Sequence, residues 1–79
     1  MDLLNHDIAH EFPQYVDKMR KLRATHAHFA SLFARFDEAN RKITKIEQGG
    51  PAVSDEAFEV LKKERLRLKD EIYQMLKAD

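Results

Sequence analysis

An all-α fold, an antiparallel two-helix hairpin of coiled-coil type with an additional N-terminal helical segment, is predicted for this 79-residue chain by three features. Two long segments, 26–48 and 55–78, place apolar residues at alternating spacings of three and four, the pattern of one helix face. Between them stands the strong breaker cluster Gly49-Gly50-Pro51. The segments also match in length: each makes a rod of roughly 35 Å at the helical rise, and so short a linker allows only an antiparallel return.

Residues 1–79 are read as a single domain made of two parts. In residues 1–24, Leu4, Ile8, Phe12, Tyr15, Met19 and Leu22 form a loose helical stripe interrupted by Pro13. Proline suits a first helical turn and disrupts an interior, so a break is expected at Phe12, with helical pieces on either side. Residues 25–79 form the hairpin, with its turn at 49–53. Its first helix carries the stripe Phe29, Leu32, Phe36, Ala39, Ile43 and Ile46, and Thr25 is the expected cap. The second carries Phe58, Leu61, Leu68, Ile72 and Met75, with Ser54 as cap and Asp55 and Glu56 placing negative charge in the first turn.

Folding at the turn sets Ile46 near Phe58, Ile43 near Leu61, Phe36 near Leu68, Leu32 near Ile72, and Phe29 near Met75 or Leu76. Arg65 occupies a seam position where an apolar residue is due. In this register it meets the small Ala39, with Asp37, Glu38 and Asn40 in reach of the guanidinium as it turns outward.

Composition excludes several classes of function. Fourteen Lys plus Arg balance fourteen Asp plus Glu, so no net field draws the protein to nucleic acid or anionic lipid. There is no cysteine, hence neither a disulfide framework nor a thiolate metal site. The N-terminus lacks the basic and apolar regions of a signal peptide, and no run approaches the roughly 18 apolar residues of a membrane span. A soluble, cytoplasmic protein is expected.

The motifs that could carry chemistry are few. His6 and His10 share a helix face in His6-Asp7-Ile8-Ala9-His10, which resembles the H-E-x-x-H zinc motif with Asp for Glu. A zinc hydrolase also needs a third ligand and a walled cleft. The pair is therefore only a weak metal candidate, and no cofactor is expected. His26 and His28 open the first hairpin helix, where capping and packing is the preferred role over a pH switch. No nucleophile arrangement can be assembled, and Gly49-Gly50-Pro51 lacks the Lys and the context of a phosphate loop. Basic clusters at Lys18, Arg20, Lys21 and Arg23 and at Lys62, Lys63, Arg65, Arg67 and Lys69 are interleaved with Asp17, Glu64, Asp70 and Glu71, as on solvated helix faces of mixed sign.

The runs His28-Phe29-Ala30-Ser31-Leu32-Phe33, Ile46-Glu47 and Leu61-Lys62-Lys63-Glu64-Arg65-Leu66-Arg67-Leu68-Lys69-Asp70-Glu71-Ile72 resemble the YdcH-like family of short bacterial proteins. Phe12-Pro13-Gln14-Tyr15 is similar to that family's N-terminal stretch, so the resemblance covers nearly the whole chain. It implies a helical hairpin, a bacterial cytoplasmic setting and no established activity. No functional residues carry over. Thr25 stands where the family pattern has Asp before the His-Phe helix, a departure that still supplies a capping hydroxyl.

Apolar surface exceeds what one seam can bury. On a helical wheel Phe33 lies beside the Phe29/Phe36 line, and Leu66 and Tyr73 lie beside the Phe58/Ile72 line. Phe33 and Tyr73 are expected to converge at the open end of the hairpin, while the turn end looks structurally complete. Phe29, Phe33, Leu66, Tyr73 and Leu76 form the candidate interaction surface. Two coverings are open to it: the N-terminal segment of the same chain, or a second copy or another protein. A two-helix hairpin this small also needs help to complete its core. The expected function is thus a non-enzymatic interaction module acting by self-association or by binding a partner helix. The alternative is a small nucleic-acid-associated regulator using the basic faces.

Overall fold

A computed structural model of the chain describes Ile8 and residues 11–78. Among the described residues the fold is all-α: a 3₁₀ turn, Pro13–Tyr15, leads into helix α1, Val16–Thr25, then α2, Ala27–Glu47, and α3, Asp55–Lys77. Phe12 leaves the helical region with φ −128° and ψ 60°, and Pro13 follows at the first position of the 3₁₀ turn. Here the ring costs no hydrogen bond, because the N–H it lacks would have had no partner.

Helices α2 and α3 contain 21 and 23 residues and would span about 66 Å end to end. The longest dimension of the molecule is 41 Å, so the rods lie side by side as a hairpin, packed on each other. The reversal begins in a Schellman motif, in which Gly49 N–H donates to the Ile46 carbonyl at 3.1 Å and Gly50 N–H to that of Lys45 at 2.8 Å. Gly49 takes φ +84°, the left-handed region that side chains disfavour. Gly50 is constrained differently, since a Cβ there would stand 2.5 Å from the Lys45 carbonyl oxygen. Replacing Gly50 by alanine is therefore expected to cost about 1–3 kcal/mol. At roughly 4–8 °C per kcal/mol for a domain of this size, thermal unfolding followed by circular dichroism would show it. An unchanged midpoint would mean the turn is not packed this tightly.

Ser54 starts α3, its Oγ accepting from Ala57 N–H at 3.0 Å, with Asp55 and Glu56 in the first turn. The cap of α2 corrects the sequence-based expectation. Thr25 is the last residue of α1, where its hydroxyl donates to the Lys21 carbonyl. The capping role falls to His26, whose Nδ1 accepts from Phe29 N–H at 3.3 Å. The reason is positional: α1 runs one residue further than the capping pattern implies, and the residue at which the chain turns extended is the one that can cap.

The core is concentrated at the open end of the hairpin. Phe29, Leu32, Phe33, Phe36, Leu68, Ile72 and Leu76 pack with Ile8 and Met19, and Phe12, Tyr15, Val16 and Leu22 lie against them. At the turn end Ile46, Phe58 and Leu61 are only half-buried. This inverts the expectation that the turn end is the complete one. Two helices enclose only the line between them, and the N-terminal arm supplies a third wall at the other end alone.

Candidate functional site

The five residues of the candidate interaction surface have different fates. Phe29 and Leu76 are fully buried and Phe33 is 2% exposed. Tyr73 is half-buried beneath the arm: Phe12 stacks on its ring at 4.8 Å with an 18° interplanar angle, and Tyr15 meets it edge-on at 6.2 Å. Leu66 stays on the surface at 55% exposure. The arm covers Phe33 and Tyr73 with different parts of itself. Helix α1 packs on α2 and brings the Arg23 guanidinium over the Phe33 ring at 4.3 Å, while Phe12 and Tyr15 reach α3. Polar contacts hold the edges: Lys69 Nζ donates to both Glu11 oxygens, at 3.0 and 3.2 Å, and Lys18 Nζ donates to the Ala78 carbonyl.

Around Leu66 the surface dips into an open groove of about 400 Å³, lined by Glu11, Phe36, Lys62, Arg65, Leu66 and Lys69. Lys62, Leu66 and Lys69 recur at spacings of four and three, which places them on one face of α3. That face was legible in the sequence as residue types. What could not be read there is that Glu11, more than fifty positions away, closes one side.

Arg65 behaves as its surroundings predict. Its Nη1 donates to Asn40 Oδ1 at 2.7 Å, beside the buried Ala39, so the polar break in the seam ends on a neutral amide. The flanking charges are mostly paired along the helix: Lys62 with Glu59 at 2.8 Å, and Arg67 with Glu64 at 3.0 Å and Glu71 at 3.3 Å. The hydrogen bond from Lys62 and its positive charge lower the Glu59 pKa below the ordinary carboxylate value. The hydrogen bond from Arg67 to Glu64 and the charge of that carboxylate raise the arginine pKa. Both pairs lie at the surface in contact with solvent, so they shape the surface more than they stabilise the fold.

His6 and His10 lie outside the described residues. Among the described residues no group of three or more His, Cys, Asp or Glu could hold a metal ion, and no helix is long and apolar enough to cross a membrane. His28, like His26, is exposed.

A family model described as "Protein of unknown function (DUF465)" matches residues 29–76. The match spans the hairpin from the first buried phenylalanine of α2 to the last buried leucine of α3, and Phe12-Pro13-Gln14-Tyr15 falls outside it. No curated protein and no solved structure matches the chain.

Proposed function

We propose, from the premise that the chain belongs to this YdcH-like family of small proteins of unknown function, that it is a non-enzymatic, cytoplasmic protein-interaction module acting through self-association or a partner helix. The observation that carries this reading is Leu66: a large apolar side chain left 55% exposed within a groove, although the arm already covers its aromatic neighbours. Lys62 and Lys69 line the groove beside it, and the Arg65 guanidinium is bound to the neutral Asn40 amide. A partner helix with one apolar anchor would bury Leu66, and a carboxylate a turn away would meet Arg65, since Lys62 and Lys69 already pair with Glu59 and Glu11.

A photo-crosslinking residue placed at position 66 tests this in cells. Capture of a protein is expected there and not at position 60, which is exposed on a different face of α3. Leu66→Glu should weaken binding of that protein on the order of tenfold, since half a leucine's burial is lost and a carboxylate meets the partner's own. Stability should move by less than about 0.5 kcal/mol, because the site is exposed. Equal capture from both positions removes the groove from the proposal. A product lost on nuclease treatment, with retention on DNA falling steeply with salt, would favour the nucleic-acid alternative instead.

A further inference from the structure

Between α1 and α2 a single residue, His26, departs from helical geometry, with φ −122° and ψ 105°. Helical hydrogen bonds close on both sides of it: the His26 N–H donates to the Leu22 carbonyl at 2.8 Å, and the His26 carbonyl accepts from Ala30 N–H at 3.0 Å. The surrounding sequence, Leu22-Arg23-Ala24-Thr25-His26-Ala27-His28-Phe29, contains no glycine or proline and has good helix formers on both sides. Nothing local forbids a continuous helix here. The break is held by the docking of the arm and by the His26 side chain, which caps Phe29 N–H.

The geometry points to arm exchange between two copies of this chain: rotation at His26 fuses α1 and α2 into one helix over residues 16–47, and each arm docks on the hairpin of the other copy. This gives the self-association branch of the proposed function a mechanism; its seat borders the Leu66 groove at Glu11 and Lys69 and does not include Leu66 itself. The occupant is set by the seat itself. Phe12 on Tyr73, Glu11 on Lys69 and Arg23 over Phe33 are contacts between this arm and this hairpin, and an identical arm from a second copy makes every one of them. Exchange therefore conserves the interface and changes only the hinge, the condition under which swapped dimers form at low cost. The family match, which begins at Phe29 just past the hinge, divides the chain at the same place.

Two substitutions push the hinge in opposite directions. Ala27→Pro fits the observed structure, because Ala27 is the first residue of α2 and the preceding His26 is already extended. It cannot fit the fused helix, where its ring would clash with the carbonyl of residue 23. His26→Ala removes the cap that exists only in the bent form, and with two hinges per dimer it should tighten dimerisation on the order of tenfold or more.

The chain contains no cysteine, so Glu11→Cys with Lys69→Cys and a short bis-maleimide reagent reports which arm sits on which hairpin. Light scattering after size exclusion is expected to show a concentration-dependent dimer, enriched by His26→Ala and absent with Ala27→Pro. Denaturing gels should show the two positions linked between chains in the dimer and within one chain in the monomer. A dimer linked only within chains, or a monomer at millimolar concentration in both the wild type and His26→Ala, overturns arm exchange. Either result leaves the Leu66 reading standing. Failure of Leu66→Glu to affect partner binding would likewise leave the linkage pattern intact.

Discussion

Replacing Phe36 by alanine is expected to lower the free energy of unfolding by about 3–5 kcal/mol, the usual range for removing a buried phenylalanine. Phe36 is fully buried, and it lies midway along α2 where the hairpin seam continues in both directions. The neighbouring helices cannot collapse into the space without losing their own register. A chain of 79 residues has a total stability of roughly 4–12 kcal/mol, so this one change removes a large part of it. Thermal unfolding should begin at least about 12 °C lower. Val60→Ala, at a position 65% exposed, is the matched control and should move the midpoint little. A loss below about 1 kcal/mol for Phe36→Ala would contradict the hairpin core described above.

The second large effect is expected from Met19→Asp. Met19 is 6% exposed on the inner face of α1, and a carboxylate there would be desolvated against Phe29, Phe33 and their neighbours. Its cost has a ceiling, because the arm can leave the hairpin and return the charge to water. The expected outcome is release of the arm and not global unfolding. Amides of α1 should lose protection from hydrogen exchange while those around Ile43 and Leu68 keep theirs. A dye specific for apolar surface should bind as Phe29, Phe33, Tyr73 and Leu76 are uncovered. If the α1 amides stay as protected as in the wild type, the arm does not depend on this contact. If the whole chain unfolds together, arm and hairpin form one cooperative unit.

Much of the hairpin is legible in the order of residues alone, and the reasons are local. Gly49 and Gly50 mark the reversal because the Schellman motif takes a left-handed residue at 49 and this turn leaves no room for a side chain at 50, beside the Lys45 carbonyl. Ser54 marks the start of α3 because its hydroxyl reaches three residues along the same chain. Arg65 breaks an otherwise regular stripe. Counting back from the turn brings it to Ala39 and Asn40, and Asn40 does receive the guanidinium. The cap of α2 was less legible: Thr25 fits the capping pattern, and the choice of His26 depends on α1 persisting one residue longer because its inner face is docked. The candidate surface was legible as a set of residue types and not as a surface. Four of its five members are buried or half-covered, and only Leu66 remains mostly in water.

The sequence by itself therefore determined the helices, their direction reversal and the meeting of Arg65 with Asn40, since each follows from spacings of three or four residues or from one turn. Which element closes the aromatic end was decided only by the tertiary structure. Phe12 and Tyr73, and Glu11 and Lys69, are brought together from opposite ends of the chain. Helical periodicity carries no information across that distance. It reports that Tyr73 has an apolar face to cover, and the relative free energies of the available coverings choose the arm.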